Sequence, residues 1–336
     1  MQSPAVPGAD TGAAPELTRC QRRLLEFTLH EPRARIAGVA GSGKTTLALE
    51  HARRSAAAGR STLLLCGGET LAAWLRERAG GSGGAGPEPL VTTFHGLCRL
   101  VTERAGAAFE EPHEPAARAE FREWVAPELL LEHLERAGAR WDAIVVDGGQ
   151  DFLGDWWDAL EACLAPGASF HVFYDEDQDV LGACGIGALD ALPRFELALS
   201  CRSPDGVPTV VETIPDAGRR REAVRARVGA WLDARAPERV AILAPYRLGR
   251  TCLADVPAIA GVPLTGRIED WRAGRGLLVT TIRGFRGLEA DAVALIDLPR
   301  PGARRAFGGA DLHVGRSRAR RLLHLFAAES IAGPAA

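Results

Sequence analysis

Lysine is almost missing from this 336-residue chain: of 40 lysines and arginines, only Lys44 is a lysine. Metal-binding cysteine pairs are missing too. The seven cysteines, Cys20, Cys66, Cys98, Cys163, Cys184, Cys201 and Cys252, are scattered and never spaced C-x-x-C, which argues against a zinc site or a disulfide scaffold and for reduced thiols. Charge of one sign is lacking as well. Forty-three acidic residues leave a net charge of -3, so no global basic field is available to hold nucleic acid, and any such contact must come from local arginine patches. No apolar run is long enough to span a bilayer. Residues 1–15, MQSPAVPGADTGAAP, have neither a basic start nor an apolar stretch and read as a disordered tail rather than a secretory signal. Residues 329–336 read as a second tail, and the composition fits a cytoplasmic protein with no membrane attachment.

The single lysine stands in GVAGSGKTTL, where Gly38, Gly43, Lys44 and Thr45 satisfy G-x-x-x-x-G-K-[ST]. The apolar run ARIAGV precedes it as a buried strand would, and TTLALEHARRSAAAG follows it as a helix stopped by Gly59. Strand, glycine loop and helix start form the setting that this motif needs. Gly38, Gly41, Ser42, Gly43, Lys44, Thr45 and Thr46 are therefore the candidates for holding phosphate, with backbone N–H groups aimed at the oxygens. A compact ammonium with three donors fits between two phosphates, where a planar guanidinium does not, and this explains why the lysine is kept.

Strand-like and helix-like runs alternate from residue 16 onward, which predicts an α/β chain with parallel sheets covered on both faces. A first domain is expected over residues 16–198, with a short helical insertion over 105–140, and a second over 199–328. In WDAIVVDGGQDF, an apolar strand ends in Asp147, a candidate magnesium ligand beside Thr45. FYDEDQDVLG, LSCRSP, TTIRGFRGLEADAV and HVGRSRARRLLHLF follow at the ends of later runs.

In order and spacing, these segments resemble the motifs of superfamily 1 helicases of the UvrD/Rep type, from Leu17 to Phe326. The resemblance implies two RecA-like P-loop domains with ATP and Mg2+ between them, and accessory domains that are minimal or absent. It implies catalytic roles for Lys44, Asp147, Gln178, Arg202 and Arg318, with Gln178 sensing the γ-phosphate and the two arginines supplied by the second domain. Gln21 would read the adenine, although Thr18 and Gln21 also form a capping-box pattern, and both roles are compatible. Gly287 and Glu289 would lie at the ribose. Thr93, Phe94 and His95 would touch a nucleic-acid backbone, with burial of Phe94 an equally good reading.

Two departures matter. Family members carry glutamate after the motif II aspartate to polarise water, and this chain has Gly148 there. Losing such a base costs about 10²–10⁴ in rate while binding survives, so hydrolysis is expected to be slow. The stacking aromatics expected after Gln178 are replaced by Leu181 and Cys184, which weakens the case for single-stranded nucleic acid as a partner. An active nucleic-acid-dependent ATPase in repair or defence, with Asp151, Glu176 or Asp177 as substitute base, is one alternative. A nucleotide-gated interaction subunit, working on a protein partner in a larger complex, is the other.

Overall fold

The structure is a computed structural model that describes residues 17–80, 87–175, 185–197, 207–300, 302 and 307–330. Gln178, Arg202, Leu181 and Cys184 lie outside these residues, as do Glu176, Asp177, the N-terminal tail and residues 331–336 of the C-terminal one. The five described cysteines are free thiols, and among the described residues no helix is long and apolar enough to cross a membrane.

The N-terminal part contains α1 (Arg19–His30), β1 (Arg33–Gly38), α2 (Lys44–Ala57), β2 (Thr62–Cys66), α3 (Glu69–Gly80), β3 (Leu90–Thr93) and α4 (Phe94–Arg104). It continues with α5 (Pro115–Glu120), α6 (Ala126–Ala137), β4 (Trp141–Asp147), α7 (Gly154–Ala162), β5 (Leu164–Tyr174) and β6 (Arg194–Leu197). The six strands form one sheet in the order β3-β2-β4-β5-β1-β6, with every pairing parallel. Such strands are buried on both faces, which is why the LLLC of β2, Leu63–Cys66, is apolar without alternating. Period two still sorts their side chains. Leu63, Leu65, Ile144, Val146, Phe170 and Val172 pack on one face under α4, α6 and α7. Leu64, Val145, Phe173 and Ile36 pack on the other with α1, α2 and α3.

Local chemistry sets the helix ends. Thr18 caps α1 through the backbone N–H of Gln21, and the Gln21 side chain returns the bond to the N–H of Thr18, so the capping box is real. Thr93 caps α4 through the N–H of Gly96. The insertion contains a feature that periodicity did not suggest, a five-residue π-helix over Phe121–Val125 between α5 and α6.

The C-terminal part contains β7 (Thr209–Thr213), α8 (Ala217–Leu232), β8 (Val240–Ala244), β9 (Ala258–Ile259), β10 (Val262–Thr265), α9 (Ile268–Arg272), β11 (Leu277–Thr281), β12 (Ala290–Leu298), α10 (Gly309–Arg316) and β13 (Ala319–Ala327). Its seven strands run in the order β7-β13-β12-β8-β11-β10-β9, and among the described strands only β9 and β10 pair antiparallel. The arginine-rich helix α8 stops at Leu232. It is tied to β12 by a buried pair, Arg220 Nε to Asp297 Oδ1 at 2.6 Å.

Helix α3 joins the two sheets. Trp74 packs against apolar clusters of both parts, Arg272 reaches Glu77 at 3.4 Å, and Gly287 lies so close to Leu71 that a Cβ there would sit 2.4 Å from Leu71 Cδ2.

Candidate functional site

Parallel strands end together, and loops that follow neighbouring strands meet at that edge. Strands β4, β5 and β1 are consecutive neighbours, with Asp147 opposite Phe173 and Ala37 opposite Tyr174. This register brings Asp147, Asp175 and the glycine loop after Gly38 to the same edge.

The loop turns by left-handed glycines, Gly41 at φ 78° and Gly43 at φ 88°. Gly43 has a second reason to lack a side chain, since a Cβ would stand 2.2 Å from Gln21 Nε2. That amide donates to the Ser42 carbonyl at 2.9 Å, so Gln21 fastens α1 to the loop while its own oxygen completes the capping box. Helix α2 starts at Lys44, and the N–H groups of its first turn have no partner within the helix, so they face the loop as donors for an anion.

Lys44 folds back over the loop. Its Nζ donates to the carbonyls of Gly38 at 2.6 Å and Val39 at 3.0 Å, and to Asp175 Oδ2 at 3.0 Å. Burial holds the ammonium below its ordinary pKa, and the Asp175 carboxylate opposes that shift. Asp175 is itself buried, with its N–H donating to Gln150 Oε1 at 3.0 Å. The sequence marked Asp175 only as an acid at a strand end; its pairing with Lys44 depends on β5 lying beside β1.

Asp147 is buried at the end of β4, and burial pushes its carboxyl up to about 6. The Thr45 hydroxyl donates to it, and Lys44 and Arg318 pull the other way. Its Oδ2 is buried without a hydrogen-bond partner. An orphaned carboxylate oxygen next to a threonine hydroxyl fits a hard dication, and Thr45 with Asp147 is the pair that would hold magnesium. Among the described residues, no group of three or more His, Cys, Asp or Glu is placed to bind a metal by itself. Magnesium needs no such group, because it keeps waters and is bound through one or two protein ligands plus phosphate oxygens.

The second sheet contributes Arg318, which is buried at the start of β13 and close enough to act electrostatically on both Lys44 and Asp147. Its Nε donates to the Val314 carbonyl at 3.0 Å and its Nη2 to Ser317 Oγ at 2.6 Å, which fixes the guanidinium. A further cross-sheet contact was not foreseen: Arg286 Nη1 donates to Asp151 Oδ1 at 2.6 Å. Gly287, next to it, packs on Leu71, and Glu289 accepts from Arg320 Nε at 3.1 Å.

After Asp147, Gly148 turns the chain at φ 85° and ψ 45°. The nearest atoms to a Cβ there lie 3.8 Å away, so space is ample and backbone conformation is the constraint.

The residues expected to touch nucleic acid are engaged in the fold. Phe94 is 2% exposed and stacks on Trp156 at 4.3 Å between ring centres. His95 packs edge-on to Trp156 at 4.9 Å, with Nε2 3.0 Å from the Arg122 carbonyl. Besides capping α4, the Thr93 hydroxyl donates to Glu69 Oε1 at 2.7 Å. Of the two readings of Phe94, this arrangement matches the buried one. No protein-family model and no curated protein sequence matches this chain.

Proposed function

We propose that this chain binds ATP with Mg2+ between two RecA-like halves, in the manner of the superfamily 1 UvrD/Rep-type proteins that its motifs resemble, and that it turns ATP over slowly. The observation that carries this reading is the convergence on one edge of Lys44, Thr45 and Asp147 from the first sheet and Arg318 from the second. Phosphate oxygens would replace the Gly38 and Val39 carbonyls and Asp175 as partners of Lys44. Magnesium would take the unpartnered Asp147 oxygen and the Thr45 hydroxyl, and would supply charge neutralisation at the β and γ phosphates. Arg318 would meet the terminal phosphate, with Arg202 and Gln178 assigned to it by resemblance. Gln21 would lie at the adenine, and Gly287 with Glu289 at the ribose.

Slow turnover follows from Gly148, which puts no carboxylate where the family has its base. Between the two alternatives, the engagement of Thr93, Phe94 and His95 in the fold favours a nucleotide-gated interaction subunit over a translocase that grips single-stranded nucleic acid. Titration of Mg–ATP into the wild type and Lys44→Ala by calorimetry tests the reading. Binding by the wild type and none by the variant is expected; equal affinities would overturn it.

A further inference from the structure

The carboxylate that Gly148 does not provide has a neighbour able to replace it. Asp151 sits one 3-10 turn after Gly148, with its side chain only 11% exposed, and its charge acts on Asp147. Its position is specifically accommodated. Asp151 Oδ2 lies so close to Gly67 that a Cβ there would come within 2.6 Å of it, so the glycine after β2 leaves the room that this carboxylate fills. Its other oxygen, Oδ1, accepts from Arg286 Nη1 at 2.6 Å.

Arg286 belongs to the second sheet, in the segment between β11 and β12, and reaches across to the first. Its other terminal nitrogen, Nη2, is buried with no acceptor. A buried guanidinium N–H without a partner costs free energy until an acceptor arrives, and an anionic oxygen is the strongest acceptor it can meet. An arginine bonded to a carboxylate also makes that carboxylate a poorer proton acceptor, since the pairing stabilises the charged form.

We propose that Asp151 is the proton acceptor for the attacking water, and that Arg286 holds it inactive until a terminal phosphate takes the guanidinium. This deepens the ATP reading and rests on it. In the step itself, the water oxygen bonds to the terminal phosphorus while the bond from phosphorus to the bridging oxygen breaks. That oxygen leaves on ADP with the electron pair, and the water's proton passes to an Asp151 carboxylate oxygen and then to solvent. The pair also explains why the protein would be slow without being inert: the base is present, but it is bonded to the opposite sheet.

The test measures steady-state ATP hydrolysis together with calorimetric affinity for a non-hydrolysable ATP analogue with Mg2+, in the full chain. Arg286→Gln is expected to raise turnover tenfold or more. Asp151→Asn is expected to lower turnover by about 10²–10⁴, the contribution of a positioned base. The double variant should match Asp151→Asn, and Asp151→Glu should recover part of the loss. Analogue affinity should stay within about threefold in the Asp151 variants, so their effect falls on turnover rather than binding, and thermal melts check that each variant is folded.

Arg286→Gln losing turnover in parallel with Asp151→Asn would overturn the proposal, because Arg286 would then be stabilising the transferred phosphoryl group. So would Asp151→Asn turning over like the wild type, or an Arg286→Gln variant that binds the analogue and hydrolyses no faster than the wild type, including the case in which neither does so detectably. Failure of the underlying reading looks different: the wild type would not bind the analogue, or Lys44→Ala would bind it equally well.

Discussion

Gly148→Glu restores a carboxylate at the position after Asp147, and its consequences can be worked out from the backbone. Gly148 is left-handed, at φ 85° and ψ 45°, a conformation that costs an L-residue about 1–2 kcal/mol. Replacing glycine also restricts the unfolded chain, which returns about 0.4–1 kcal/mol. No atom lies within 3.8 Å of the new Cβ, so collision adds nothing. The net cost is therefore about 1 kcal/mol, and the variant should fold with a melting point lower by about 2–4 °C. Against this stands a gain of about 10²–10⁴ in turnover, or about 2.7–5.5 kcal/mol of barrier, if the new side chain reaches the attacking water. Turnover and thermal unfolding measured on the same preparation separate the two effects. A folded variant with unchanged turnover, beside a wild type already working at about 1 s⁻¹ or faster, would refute the argument that this position limits the rate.

The buried pair His51 and His171 predicts acid sensitivity. Burial, with help from neighbouring arginines, lowers His51 to about 4; burial, and His51 itself, lower His171 to about 3. The unfolded chain therefore binds protons that the folded chain refuses, and stability is lost as pH falls below 6.5, by about 2 kcal/mol per ring at pH 5. Asp147 works in the opposite sense. Its raised pKa of about 6 lets the folded chain take a proton first, which returns about 1 kcal/mol over the same window. Denaturant midpoints at pH 7 and pH 5 should differ by the balance, a net loss of about 3 kcal/mol, and equal midpoints would contradict the neutral pair. Phe94→Ala should cost about 3–5 kcal/mol in denaturant unfolding, as expected for a core aromatic, and a loss below about 1 kcal/mol would return Phe94 to the surface role that its motif suggested. Trp74→Ala should weaken the docking of the second sheet, seen as a separate early unfolding step by calorimetry; a single unchanged transition would show that α3 does not hold the sheets together.

Features carried by contiguous residues were legible in the sequence. The glycine loop, the start of α2 at Lys44 and its stop before Gly59 are all written within a span of about twenty positions, and Asp147 is marked by the apolar run that it ends. The alternation of strands and helices gave the α/β class, because buried parallel strands are apolar throughout. What was not legible depends on strand order. Asp175 meets Lys44 because β5 lies beside β1, and Asp151 meets Arg286 because the second sheet docks on α3; no periodicity records either fact. The same holds for His51 and His171, which come from α2 and β5 with ring centres 4.2 Å apart. The π-helix at Phe121–Val125 escaped notice because one added residue per turn leaves the apolar pattern nearly helical. Phe94 was ambiguous for a different reason. An aromatic after a strand serves a surface or a core equally well, and Trp156, 62 positions on, decides it by stacking on the ring.

One lysine is retained in a chain otherwise basic through arginine, and the Mg–ATP affinity of Lys44→Arg compared with the wild type decides whether phosphate is the reason. Binding weaker by about tenfold or more is expected, because a guanidinium cannot take the place of a compact ammonium among the loop carbonyls and phosphates. Equal affinity in the folded variant would contradict it, and the lysine would then have no phosphate to answer to.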